Sequence, residues 1–403
     1  MKGKKMTNEH FTQIAASLNE SSTHLQALRA KYDGALSKIE AKQNETLQAL
    51  DTKKTEAENA LDTKKGELEQ ALSQEVERVK RYILSEGLII KVGNGEGEKR
   101  TVREAYNEAL RYTSTLKDKN TQNKVTIEIQ EGWEWEEPLG LYDMDLSCII
   151  LTQKNFEAPI MVNMANMIND NGLKSFIYMD NAKITINKLH LKAKALQLDN
   201  VWFHSMLYTR GSEVKAAELK FDYTQITRID SSGRAYPLFF DDRSSATVLK
   251  FTGLLPNNDA VGEGLECEAS RLYMESLTLS GNCGHNGVLI NAASSAYIVQ
   301  IAMSGNCGHN GVVINAASSA YIGQIVMSGN CGHNAILANG GTLQSWWNNS
   351  SLSGSCGANF ARVAVGCGGT VVLHSSAKNG GNYPKLSNIE ENTPTMHGLI
   401  RFC

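Results

Sequence analysis

The chain has 403 residues, of which 41% are hydrophobic and 21% charged, and a formal net charge of -3. That length and apolar content suffice for at least one compact core. A balance so near neutral argues against nucleic acid as a partner, because phosphate binding needs a clustered excess of Lys and Arg.

No run of about 18 apolar residues occurs, so no membrane insertion is expected. Lys2, Lys4 and Lys5 pass straight into polar sequence without the apolar core of a signal peptide, which predicts a soluble product made in the cytoplasm. Five of the eight cysteines (Cys283, Cys307, Cys331, Cys356 and Cys367) lie in glycine-rich repeats rather than at loop crossings. They read as reduced packing residues.

Residues 20 to 85 are rich in Ala, Leu, Glu, Lys and Gln and contain no proline, with Gly34 and Gly66 the weak points of a long helix. An eleven-residue step runs through Leu28, Ile39, Leu50, Leu61, Leu72 and Ile83, and a second seam through Ala35, Thr46, Ala57, Leu68 and Val79. Eleven residues over three turns predicts a nearly straight or gently right-handed coiled coil. The other faces are polar, so the seam calls for self-association, and its small residues suit a parallel homotrimer. About 60 residues would span on the order of 90 Å, the length of a spacer.

Gly87 is expected to end the helix and Gly93 to Gly97 to form an elbow. Thr101 and Glu104 make a capping box for a short amphipathic helix carrying Val102, Ala105, Tyr106, Ala109 and Leu110. A strand, Val125 to Ile129, follows. This order of short helix, "VTIEIQEGWEWEEPLGL" and "DLSCIILTQ" resembles the opening of pectin-lyase-like β-helices, and phage tail spikes that carry this fold behind a trimeric stalk. The resemblance, over about residues 100 to 375, implies a mainly β chain built as a right-handed parallel β-helix whose open end the short helix plugs.

An internal repeat supports the solenoid independently. Ser280 to Asn286 ("SGNCGHN") recurs at Ser304 to Asn310 and Ser328 to Asn334, each 24 residues on, and in decayed form at Ser353 to Asn359. A fixed period in this range means stacked supersecondary units. The segments between glycines are short and β-rich, so each repeat reads as one coil of about three short strands. Weaker copies upstream ("FIYMDNAKITI", "ALQLDNVWF", "ELKFDYTQIT", "GLECEASRLYM") bring the total to roughly eight or nine coils, on the order of 40 Å long. Stacked positions predict an amide ladder of Asn282, Asn306 and Asn330 and a thiol stack of Cys283, Cys307, Cys331 and Cys356. Identical coils give a continuous ladder rather than a closed tetrahedral shell, so no metal and no cofactor is expected.

Glycan cleavage needs paired carboxylates or a base with charge-neutralising partners. From Ser276 to Asn388 there is no Asp or Glu, so any catalytic pair must come from upstream, where Asp241, Asp242, Asp259 and Glu263, all read as loop residues, are the candidates. Binding needs less. Repeat alignment puts Tyr273, Tyr297, Tyr321 and Trp346 in one column, continued by Trp347 with Asn348 and Asn349 beside it. Outward, the column offers sugars a stacking platform; inward, it is an interior stack. Tyr297 shares its alternation with Ile301 and Met303, which slightly favours the interior for the tyrosines, while strand neighbours Trp346 and Trp347 point to opposite sides and at least one of them is expected to be exposed.

The expected organisation is an attachment segment (1–25), a stalk (26–86), a junction with the capped solenoid start (87–144), the β-helix (145–375) and a C-terminal tip (376–403). The implied function is a receptor-binding fibre or spike subunit, joined to a baseplate or tail protein by its N-terminus and touching a cell-surface glycan or protein. The expected location is the tail of a virion or tail-like particle. A depolymerising spike is the alternative. A bacterial surface adhesin is the third reading, disfavoured by the lack of an export signal.

Overall fold

A computed structural model describes residues 8–82, 87–115, 125–170, 173–198, 203–228, 234–346, 350–356, 363–374 and 399–402. Within the first helix, side chains are described for 8–43, 45 and 63–73. The chain divides into two compact units, Met1–Tyr82 and Ile83–Cys403.

The first unit is a single helix, α1 (Asn8–Tyr82), of 75 residues. It passes through Gly34 and Gly66 and across residues 25 and 26 without a break. In its first half its apolar residues follow a seven-residue spacing: Phe11, Leu18, Leu25, Tyr32 and Ile39 in one row, and Ile14, Leu28 and Ala35 in the other, where Ser21 takes the place between Ile14 and Leu28. Ile39 belongs to both patterns, so the stripe is continuous while its period lengthens from 3.5 to 3.67 residues per turn. Where its side chains are described, this stripe is exposed in the single chain, Phe11 at 60%, Leu25 at 67% and Leu72 at 60%. Leu28 and Ile39 lie on it; the side chains of Leu50 and Leu61, and Ile83 altogether, fall outside the described residues.

The second unit is a parallel β-solenoid of about eight turns. Its first rung, Ile89–Val92, lies between the elbow and the long helix, where sequence suggested no strand, and pairs in parallel with Val125–Ile129. Helix α2 (Val102–Ala109) has the expected capping box of Thr101 and Glu104 and packs against both rungs through Val102, Ala105, Tyr106 and Ala109.

Each repeat contributes a short strand and a long one. The short strands Leu265–Glu268, Val288–Asn291, Val312–Asn315 and Ile336–Asn339 stack in one sheet. The long strands Arg271–Ser280, Ser295–Ser304 and Ser319–Met327 stack in the other. Pairing in the long strands skips Glu275, Val299 and Gly323, and burial changes phase there: Ala296 and Ile298 are buried before the skip, Ile301 and Met303 after it. Each long strand is therefore two straight runs joined at a corner, which gives the three runs per coil expected. The interior rows Met274, Ile298, Ile322 and Leu277, Ile301, Ile325 are fully buried. Each such side chain contributes roughly 1.5–3 kcal/mol of transfer free energy.

Glycines make the remaining corner possible. A Cβ on Gly305 would stand 2.0 Å from the Gly281 carbonyl oxygen, and φ there is +128°. Beside it Cys283, Cys307, Cys331 and Cys356 line up as the expected stack through parallel bridges, the first three buried and Cys356 half-buried. Burial pushes the Cys267 thiol up to about 12, and the Cys331 thiol is raised by its bond to Cys307 and then by burial.

Candidate functional site

Two outward features concentrate the polar chemistry of the solenoid. The first is an axial stripe on the long-strand face. Paired register puts Thr185, Lys215, Thr247, Tyr273, Tyr297, Tyr321 and Gln344 in one line across successive coils. At its upstream end lies a groove of about 530 Å³ bordered by Thr152, Asn187, Ala217 and Leu249.

The tyrosines point outward, Tyr273 at 37% and Tyr297 at 44% exposure. The alternation that favoured the interior does not hold, because it was carried across the corner at Val299, where the phase shifts by one. Their rings stack nearly parallel, with centroids 5.5 and 4.8 Å apart and planes 9° and 12° apart. The inner faces cover one another, so the row presents edges to a ligand rather than a platform.

The alignment of Trp346 with this column is also corrected: Tyr321 pairs with Gln344, and Trp346 pairs with His374. The step from Ser319 to Thr342 is 23 residues, and that from Met327 to Leu352 is 25, so the extra residues of the fourth repeat follow Trp346. The Trp346 side chain, and Trp347, Asn348 and Asn349, lie outside the described residues.

The second feature lies where the glycine corner meets the short-strand sheet. Asn286, Asn310 and Asn334 are buried and form an amide ladder, Asn310 Nδ2 donating to Asn286 Oδ1 at 3.0 Å and Asn334 Nδ2 to Asn310 Oδ1 at 3.1 Å. The expected ladder of Asn282, Asn306 and Asn330 exists in another form, each side-chain oxygen accepting from the next coil's backbone N–H. Glu263 terminates the buried ladder: its Oε1 accepts from Asn286 Nδ2 at 3.1 Å and contacts His285 Nδ1 at 2.5 Å. Arg234 and Tyr236 close over the adjacent Gly262, whose Cβ would meet both at 3.1 Å.

Glu263 is thus a buried ladder terminus, 2% exposed, and not a solvated loop charge. Glu266 lies near it. Burial, then Glu263, Glu268 and Asp241, push its carboxyl up to about 9, and its Oε2 is buried without a hydrogen-bond partner. Tyr236 is held well above the usual phenol range by burial, then by Glu263 and Glu266.

The other candidates are dispersed. Asp241 ends the strand Ala235–Asp241 and accepts the Tyr208 hydroxyl at 2.7 Å; it is also a strand residue rather than a loop one. Asp242 and Asp259 are exposed. Nothing in the sequence marked Glu266, Tyr236 or Arg234, and the one available signal was that Glu263 stands where later coils carry Asn.

His285, His309 and His333 form an outer row, with ring centroids 4.1 and 4.5 Å apart. They lie outside while Cys283 and its equivalents lie inside, so thiols and imidazoles do not converge. Among the described residues no group of His, Cys, Asp and Glu is placed to hold a metal ion. Nor is any described helix long and apolar enough to cross a membrane.

By fold the chain is a parallel β-solenoid with an N-terminal helix. No family model matches it, and neither a curated protein nor a solved structure shows significant similarity.

Proposed function

We propose that this chain is the receptor-binding subunit of a tail fibre or spike, attaching a phage or phage-tail-like particle to a bacterial cell surface through a surface glycan. In this reading it is made in the bacterial cytoplasm and assembled on the tail. α1 is the shaft of a parallel homotrimeric coiled coil, and its N-terminal segment engages the baseplate or tail. The solenoid is a right-handed, pectin-lyase-like β-helix, and the axial stripe meets the glycan.

The observation that carries the reading is the apolar stripe on α1, exposed in the single chain wherever its side chains are described, from Phe11 to Ile39 and again at Leu68 and Leu72. A long helix polar on its remaining faces gains stability from that seam only by association. A long associating helix and a solenoid in one chain suit a subunit that combines an anchor with a binding surface. Phenol edges, threonines, Lys215 and Gln344 along the stripe offer hydrogen bonds to sugar hydroxyls.

The depolymerase is the second reading, favoured by one observation: the neighbouring buried carboxyls Glu263 and Glu266, one of them raised far above the ordinary range. Against it, both are less than 10% exposed, which leaves a glycosidic oxygen no direct approach. Incubation with isolated surface polysaccharide separates the two. The attachment reading expects the chain to co-sediment with polymer that keeps its length; new reducing or unsaturated ends would establish the second.

A further inference from the structure

The imidazole row is a consequence of the corner and is open to solvent. At each copy the chain places a buried thiol, a glycine, a histidine and a buried asparagine in succession, so the ring is turned outward. The rows are held in register by backbone bonds, His309 N–H donating to the His285 carbonyl at 2.8 Å and His333 N–H to the His309 carbonyl at 2.7 Å. The His285 side chain is 33% exposed, and His309 and His333 are half-buried.

The groups facing the row are Arg234 and Tyr236 from the preceding coil, Glu263 against His285, and Asp259 beside Gly284. Glu266 lies behind them, neutral below about pH 9. Downstream of Glu275 no acidic residue occurs until Glu390. Glu263 is engaged by His285, and the coils that carry His309 and His333 contain no acidic residue.

We propose that the His285–His309–His333 row, with Arg234 beside it, is a binding site for a surface polymer carrying repeated oxyanions, uronate or phosphodiester, laid along the solenoid axis. This rests on the surface-glycan reading and names the charge class of the ligand. Protonating the row without a ligand is opposed by burial and by the neighbouring cations, which hold His309 below the ordinary imidazole value. An anion lying across the rings removes that repulsion. Binding therefore takes up protons and strengthens as pH falls.

The test is equilibrium binding of the full chain to polygalacturonate, to a phosphodiester-linked polyol polymer and to neutral dextran, at about pH 5.5 and about pH 8. An acidic polymer should bind about tenfold tighter or more at the lower pH, one unit of linked pKa shift being tenfold. Calorimetry in two buffers of different ionisation heat should show net proton uptake. Whichever acidic polymer responds identifies the oxyanion. The variant His309→Gln/His333→Gln, which keeps the His285–Glu263 pair, should melt like the parent yet lose proton uptake and pH dependence. Equal affinity for the acidic polymers at both pH values, or an unchanged variant, would overturn the site; dextran binding that does not respond to pH belongs to the tyrosine stripe. If neither acidic polymer binds while the chain still adsorbs to cells, the site fails and attachment stands; absence of adsorption to cells removes both.

Discussion

Glu263 and Asn286 occupy the same place in successive coils, and the carboxylate of the first accepts the amide of the second at 3.1 Å. An amide ladder propagates by pairing each carbonyl oxygen with the next amide, so the first amide needs an acceptor that is not itself part of the ladder. Glu263 supplies it and orients His285 as well.

Removing that acceptor should be felt as a stability loss. Glu263→Ala removes the carboxylate that both Asn286 Nδ2 and His285 Nδ1 contact and leaves them only their contact with each other, at a cost of about 1–3 kcal/mol. Glu263→Gln keeps an acceptor for Asn286 and should cost less. Denaturant midpoints of the two variants give the comparison, and equal midpoints would contradict the role assigned to Glu263.

Glu266 sets a pH dependence of opposite sign to an ordinary carboxylate. Its folded value of about 9 lies above the ordinary 4.5, so the folded chain holds a proton that the unfolded chain has released. Its stability contribution is fully present below pH 4.5 and is lost as pH rises towards 9. Glu266→Gln should flatten the melting-temperature profile in that window and raise it at the alkaline end. His309 works from the other side. Held below its ordinary value by burial, then by its neighbours, it costs stability as pH falls below about 6.5.

The corners differ in what they tolerate. Gly305→Ala forces a methyl against the Gly281 carbonyl and should destabilise by about 1–3 kcal/mol. Ala292 and Ala293 instead sit in the left-handed region, at φ 53° and 62°. Glycine at Ala293 relieves a penalty of about 1–2 kcal/mol and gives back about 0.5–1 in chain entropy, so a neutral to slightly stabilising change is expected. Thermal melts should show Gly305→Ala lowered and Ala293→Gly unchanged or slightly raised.

The solenoid was legible because its period is written in the residues themselves: "SGNCGHN" returns every 24 positions. The facing of Tyr297 was not, because alternation carries information only along a straight run and the strand turns at Val299. Trp346 was misplaced for a related reason: counting from one glycine motif to the next cannot say where within the coil an insertion falls. The seven-residue spacing from Phe11 to Ile39 was legible and was masked by the stronger eleven-residue echo after it. Glu263 became intelligible only when stacking set it above Asn286.

The seam on α1 predicts association that does not depend on the solenoid. Sedimentation equilibrium of the full chain should give three times the 44.1 kDa of one chain. Leu28→Asp with Ile39→Asp, where the two spacings meet, should give single chains whose solenoid still melts cooperatively. A parent that remains monomeric at micromolar concentration would contradict the shaft.

The most direct measurement is adsorption of the labelled full chain to bacterial cells, before and after periodate oxidation of their surface sugars, with Tyr297→Phe alongside. That variant keeps the ring stack and removes one hydroxyl from the middle of the axial stripe. Saturable adsorption that periodate abolishes and Tyr297→Phe weakens is the expected result. Adsorption indifferent to both treatments, or none on any strain that carries a particle containing this chain's partners, would contradict attachment through a surface glycan.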